Sequence, residues 1–590
     1  MIGTTLERSK TARESKVRAL AFLLTLSLIV HGTFYAQEWL LLGAGLTFLA
    51  ALSVQRSWGW RFSFTDALFA GMILLSLGGL INPVRSSEGW LDGVRWLTLW
   101  IGYRVIVAFH EEQKRYILRW IEGLTVLMAV VGWIPTLGRF LPQFLPQLLP
   151  EVDGRLAVFF GYPNALAAYF GAVLLLRPRT AVVRILIFLA LLNTGSRAAL
   201  VIFLIIWLGR EALLWQTKKR SSLNPGMRNL WSLLILKDKL KDHIRFRLTK
   251  QSTFLLLILT SGILLTLLWN QQVTAHLLNW GMTPSLGERL LYLRDGIELA
   301  AQNKGLPRAG GWYAFPLVQD IPYWTQDPHC LGMRILLHQG MPGIILVVLW
   351  GGRVLWSLGK KALKAHPAYI SYWLHPEKQK RDRRGLPAQN HGLSALLFLS
   401  LHALVDTDFL FGSLGILFWI LFGIFAAPML SDWSWQKSQG KRKFSPMAQL
   451  LLLGLGGVVL ALAVQPAWLG KGDPGSLIER QEAARIEVVN KGSQGLAAVE
   501  DVLAWEKFNL RAYEWAQGVV FEEAEKLQVS EPAEARELYQ WVEKVPERIA
   551  ALHNIGDFEK SLWSGAAEFQ PSEHNLLLAE YARMRQITLH

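Results

Sequence analysis

The chain has 590 residues, of which 52% are apolar and only 18% charged, where a soluble protein carries about a quarter charged. The deficit falls in long apolar runs, which membrane burial explains better than an oversized core. A formal charge of +16, placed in loops between those runs and not on one folded face, argues against nucleic-acid binding. Cys330 is the sole cysteine, which excludes an intramolecular disulfide.

At the N-terminus Arg8, Lys10, Arg13, Lys16 and Arg18 precede the run AFLLTLSLIV. No small-residue cleavage site follows, so a first transmembrane helix is expected and not a removed signal peptide. Counting that first one, apolar windows fall near 17–34, 38–54, 65–82, 90–109, 116–138, 157–176, 181–194, 197–215, 252–270, 330–356, 392–405, 409–430 and 447–469. The expectation is an all-α polytopic bundle of about thirteen transmembrane helices. The seventh and eighth windows are short and joined only by NTGSR, so a re-entrant pair is an alternative there. With the N-terminus inside, inner segments hold about 36 Lys and Arg and outer loops about eight, which sets the parity and places the C-terminus outside.

Two outer segments are long. Gly138 to Leu156 contains FLPQFLPQLLP, whose prolines preclude a regular helix throughout and suit the membrane interface. The second loop, 272–328, carries GERLLYLRDGIELAAQ with amphipathic helical spacing, then the turn LPRAGG. Its aromatic run WYAFPLVQDIPYW is expected at the headgroup level. Residues 1–469 then form the membrane domain and 470–590 a small extracytoplasmic helical domain. That tail is acidic, with 13 Lys and Arg against 21 Asp and Glu, and its helix–turn–helix rhythm is tetratricopeptide-like.

Outer-face cations are few: Arg155, Arg197, Arg289, Arg294 and Arg308. Snorkelling, or pairing with Glu288 and Asp295, explains any one of them; several at one membrane face also suit an anionic substrate anchored in lipid. His329 opens the tenth window in QDPHCLGMRILLHQGMPG, either as a helix-start polar residue or as a general base for an acceptor hydroxyl. His338, nine positions on, lies about 180° around a helix and should face elsewhere. His402 and Asp406, four apart with Asp408 close by, read either as an i,i+4 pair or as an intramembrane functional site. Asn164, directly after Pro163, satisfies freed backbone groups or lines a cavity. No metal-ligand spacing, Walker loop, nucleophile elbow or dinucleotide fingerprint is found, so neither metal nor cofactor is expected.

Four stretches taken in order resemble the O-antigen ligase/polymerase family of bacterial membrane glycosyltransferases. They are GRLAVFFGYPNALAAYF, LLNTGSRAALVIFLIIW, GERLLYLRDGIELAAQNKGLPRAGGWYAF and DPHCLGMRILLHQGMPGIILVVL, within residues 150–410. The sequence departs from the family pattern at Cys330, where Asn commonly follows the His, and at Arg308–Gly311, which replaces Gly-x-Gly. The resemblance implies metal- and nucleotide-independent transfer of a glycan from a polyprenyl diphosphate to a lipid, protein or glycan acceptor, outside the cytoplasmic membrane. Arg289 would then contact the diphosphate, supported by Arg155 and Arg197, and His329 would activate or orient the acceptor. Asn164, Arg294, His402 and Asp406 complete the expected substrate-binding set. A multi-pass transporter or lipid-linked glycan flippase is the alternative.

Overall fold

A computed structural model describes residues 2–53, 63–137, 151–152, 155–178, 180–221, 284–318, 327–364, 389–430, 446–464, 477–505, 510–551 and 573–588. The ninth predicted window (252–270) and the stretch FLPQFLPQLLP lie outside them, as do most of the basic segments 222–250 and 365–388. The described chain is helical apart from one two-residue antiparallel hairpin, β1 (Glu151–Val152) and β2 (Arg155–Leu156).

The first half runs through α1 (Ile2–Ile29), α2 (Ala36–Ser53), α3 (Phe64–Gly78), α4 (Ser86–Ala108) and α5 (Glu111–Leu137). Ser63 and Asp66 form a capping box at the start of α3, satisfying two otherwise orphaned backbone donors. Asp66 also takes Trp100 Nε1 at 2.7 Å and Arg104 Nη1 at 3.2 Å, tying α3 to α4. After the hairpin come α6 (Pro163–Leu175), α7 (Ala181–Asn193) and α8 (Arg197–Ser221). Helix α6 is apolar all round and, Asn164 aside, buried all round, as expected for a helix at the centre of a bundle. A side chain at Gly171 would collide with the Phe398 ring, so glycine is what lets α6 approach its neighbour so closely.

The second half comprises α9 (Pro284–Gln302), α10 (Leu331–His338), α11 (Gly340–Lys364), α12 (Gln389–His402), α13 (Gly412–Leu421) and α14 (Pro446–Val464). The amphipathic helix expected in the long loop is α9. The tenth window is not one helix: α10 stops at His338 and α11 restarts at Gly340, whose φ is +69°. Packing pairs α2 with α14 and α4, α3 with α11, and α6 with α12 and α7.

Among the described residues, three helical stretches, Phe64–Ile81, Gly340–Lys360 and Gly412–Met429, are long and apolar enough to cross a membrane. Ala36–Leu52, Pro163–Leu175, Ala181–Asn193 and Gln449–Ala463 are apolar but shorter.

The tail folds as α15 (Leu477–Lys491), α16 (Leu496–Trp505), α17 (Leu510–Leu527), α18 (Pro532–Glu543), α19 (Val545–Ala551) and α20 (Glu573–Thr588). One apolar cluster joins Val488, Val520 and Leu538 of the tail with Tyr292, Trp312, Phe315 and Met333 of the loop region. This corrects the expectation for the first part of the aromatic run: Trp312 and Phe315 are each 1% exposed, because they supply core to a small folded unit and do not lie at a lipid surface. Gln319 to Trp324 fall outside the described residues.

Candidate functional site

The site begins where α6 starts. Tyr162 is extended at the N-cap and Pro163 occupies the first helical position, where its missing N–H costs nothing. Asn164 therefore sits at the mouth of the helix with its amide free for side-chain partners. Its Oδ1 accepts from Arg155 Nη2 at 2.7 Å, and its Nδ2 donates to Asp406 Oδ2 at 2.7 Å and to the Tyr162 hydroxyl at 3.1 Å. Arg155, on β2, also donates from Nε to the Thr194 carbonyl at 2.8 Å, in the turn between α7 and α8. Arg197 is the first residue of α8, three positions beyond that carbonyl, and is half-buried.

Asp406 is the centre of this arrangement. Oδ1 takes the Tyr162 hydroxyl at 2.7 Å and the Thr407 N–H at 2.8 Å; Oδ2 takes Asn164 and, at 3.0 Å, Arg289 Nη2. The side chain of Asp406 is fully buried, whereas that of Arg289 is 27% exposed. Burial alone would raise the Asp406 carboxyl; Arg289, then His402 and the Thr407 and Tyr162 hydrogen bonds, outweigh it and hold the group below the usual carboxylate range. Asp406 thus acts as a buried anchor that orients Tyr162, Asn164 and Arg289, all three of them partly exposed.

The i,i+4 pair expected between His402 and Asp406 does not form. Helix α12 ends at His402, so residue 406 is no longer one turn above it. His402 Nδ1 instead meets Asp408 Oδ2 at 2.6 Å, both groups buried. Arg294 is not part of the cluster either. Five positions from Arg289, it lies about 140° around α9, and its Nε donates to Asp295 at 2.7 Å. The Glu288 side chain lies outside the described residues.

His329 is not in a helix: Cys330 caps α10, and His329 precedes it with φ +50°. Its ring stacks on Tyr292 with centroids 5.7 Å apart, and Tyr292 lies one turn from Arg289 on α9, on the same face. The Leu331 N–H donates to the Ala403 carbonyl at 2.8 Å, pinning the start of α10 to the end of α12 three residues before Asp406. His329 thus packs on the face of α9 that also carries Arg289.

A second polar cluster escapes sequence reasoning. Asp92 Oδ2 accepts from Ser76 at 2.8 Å and, through a short bond, from Gln339 Nε2. Arg334 Nη2 stands 3.7 Å from Asp92 Oδ1, and Arg95 bridges Glu88 at 3.4 Å. His338 does face away from His329: it is fully buried, stacked on Trp312, and its Nδ1 accepts from the Gly310 N–H at 3.3 Å. The spacing of Glu88, Asp92 and Arg95 on α4 is the one signal that could have drawn attention to it, since it puts three charges on one helical face.

No family model, curated protein or solved structure matches the chain significantly. The site must be judged on its chemistry. It presents two guanidinium groups, Arg155 and Arg289, oriented by neutral or anionic partners and bordered by an imidazole. Among the described residues no group of three His, Cys, Asp or Glu side chains is placed to hold a metal ion. Fixed cations of this kind stabilise charge that develops on a phosphate leaving group.

Proposed function

We propose that this protein transfers a glycan from a polyprenyl diphosphate carrier to an acceptor lipid, protein or second glycan, at the outer face of a bacterial cytoplasmic membrane. The observation that carries the reading is the convergence of Arg155, Asn164, Arg289 and Asp406, from three segments distant in the chain, on one hydrogen-bonded cluster, with His329 stacked on Tyr292 one turn of α9 from Arg289. Arg289, with Arg155 and Arg197 behind it, neutralises the diphosphate as it departs. His329 accepts or orients the proton of the attacking hydroxyl. About thirteen helices hold the site in the bilayer, with the N-terminus cytoplasmic and the tail outside. The tail, a tetratricopeptide-like array of helical hairpins, offers a surface for protein partners.

The test is direct. His329→Ala and Arg289→Ala are each expected to abolish transfer while the protein still inserts, measured as loss of the surface glycoconjugate and build-up of polyprenyl-linked glycan on the outer leaflet. Normal transfer in either variant removes that residue from the mechanism. The buried charges Glu88, Asp92, Arg95 and Arg334 support a second reading, a transporter or flippase, because such proteins also carry ionisable groups inside the bundle. Build-up on the inner leaflet in cells lacking the protein would favour that reading.

A further inference from the structure

His329 adopts a left-handed backbone conformation, φ +50°, which a side-chain-bearing residue keeps only when its surroundings impose it. Asp327 imposes it. Asp327 Oδ1 accepts the His329 N–H at 2.9 Å, a side chain folding back onto the backbone two residues on, as Asp does in tight turns. Pro328 between them restricts the intervening φ. Asp327 Oδ2 accepts from Arg334 Nη1 at 2.6 Å. Asp327 is 4% and Arg334 8% exposed, so neither charge is tolerable there without the other. Arg334 is itself clamped: its guanidinium lies 4.5 Å from the Trp312 ring centroid, and its Nη2 faces Asp92. The held imidazole stacks on Tyr292, and its Nδ1 is buried with no partner among the described residues.

We infer that Asp327 and Arg334 are positioning residues: their ion pair holds the His329 backbone in its left-handed turn and so sets the imidazole against Tyr292, on the face of α9 that carries Arg289. The role assigned to His329 rests on the transfer reading above; the hold on its backbone does not. Two measurements on the full-length protein in lipid nanodiscs therefore separate the two. The first is the rate at which diethyl pyrocarbonate modifies each histidine, read by mass spectrometry. In Asp327→Ala and Arg334→Gln, His329 is expected to react about tenfold faster as its local hold opens, while buried His402 stays protected. Combining Asp327→Asn with Arg334→Gln restores an uncharged hydrogen-bonded pair and should bring the rate back towards wild type. An unchanged His329 rate, or a rise shared with His402, overturns the inference.

The second measurement is transfer from a purified polyprenyl-diphosphate-linked glycan. Asp327→Ala is expected to lower kcat about 10²-fold through misplacement of the imidazole, with KM unchanged, and the Asp327→Asn, Arg334→Gln double variant is expected to recover most of that loss. A double variant as slow as Asp327→Ala overturns the positioning role. If wild-type protein accepts no such donor, the transfer reading fails, and the modification rates still decide whether the pair holds His329.

Discussion

At the scale of the residue, the decisive group is Asp406, whose two oxygens take four donors from Tyr162, Thr407, Asn164 and Arg289. Its folded pKa lies below that of the unfolded chain. The stability it contributes is therefore fully present above the unfolded value and is lost as pH falls through the folded one. Near neutral pH titration does not reach it, and substitution is the informative probe. Asp406→Asn leaves Arg289 without its anion and should cost about 3 kcal/mol, seen as a lower unfolding temperature in detergent. Tyr162→Phe removes one hydrogen bond and should cost about 1 kcal/mol. Equal melting temperatures for Asp406→Asn and wild type would show that the carboxylate does not hold the start of α6 and the end of α12 together. Arg155, Asn164 and Arg289 were visible in the sequence because polar groups stand out against apolar runs. That Asp406 bonds to Asn164 and Arg289, and His402 to Asp408, was not visible, because it depends on where α12 stops.

Among the elements, the break between α10 and α11 is the chief departure from the sequence reading, which took 330–356 as a single span. Hydropathy does not register it, since both sides of the break are apolar. The cause is local and steric. Gly340 has φ +69°, and a side chain there would meet the Gly305 carbonyl oxygen, with Leu306 C at 2.7 Å and Pro307 N at 2.8 Å. The turn of LPRAGG is thus seated against the break, and the Met341 N–H donates to the Gly305 carbonyl at 2.8 Å. Gly340→Ala combines the left-handed penalty of about 1–2 kcal/mol with that collision. It should destabilise the protein by at least about 2 kcal/mol, with the 303–311 segment exchanging its amide hydrogens faster. Wild-type exchange in Gly340→Ala would mean that this contact is not what breaks the helix.

For the whole molecule, the tail shares an apolar cluster with the loop region that carries Tyr292 and Met333, which places it on the same side of the bundle as the candidate site. Separately, the charge asymmetry of the loops predicts that the tail lies outside the membrane. Cysteine labelling in a Cys330→Ser background tests both. Ser530→Cys, on an exposed turn of the tail, should react with an impermeant maleimide in intact cells. Lys219→Cys and Lys380→Cys should react only after the membrane is opened. Labelling of all three in intact cells would refute the parity on which the thirteen-helix topology rests.

Helical class and the candidate polar residues were legible in the sequence, because a lipid-buried chain must satisfy its backbone within helices and confine charge to ends and loops. Those constraints act on every residue locally, so composition and spacing carry them. The partners of Asp406, the buried Asp92–Arg334 network, the placement of His329 by Asp327 and the seating of the tail were settled only by the tertiary structure. The partners of Asp406, the Asp92–Arg334 network and the tail contacts join groups far apart in the chain. Although Asp327 and His329 are only two residues apart, the Arg334 that holds Asp327 is fixed by Trp312 and Asp92; hydrogen bonds of about 3 Å are decided by such packing.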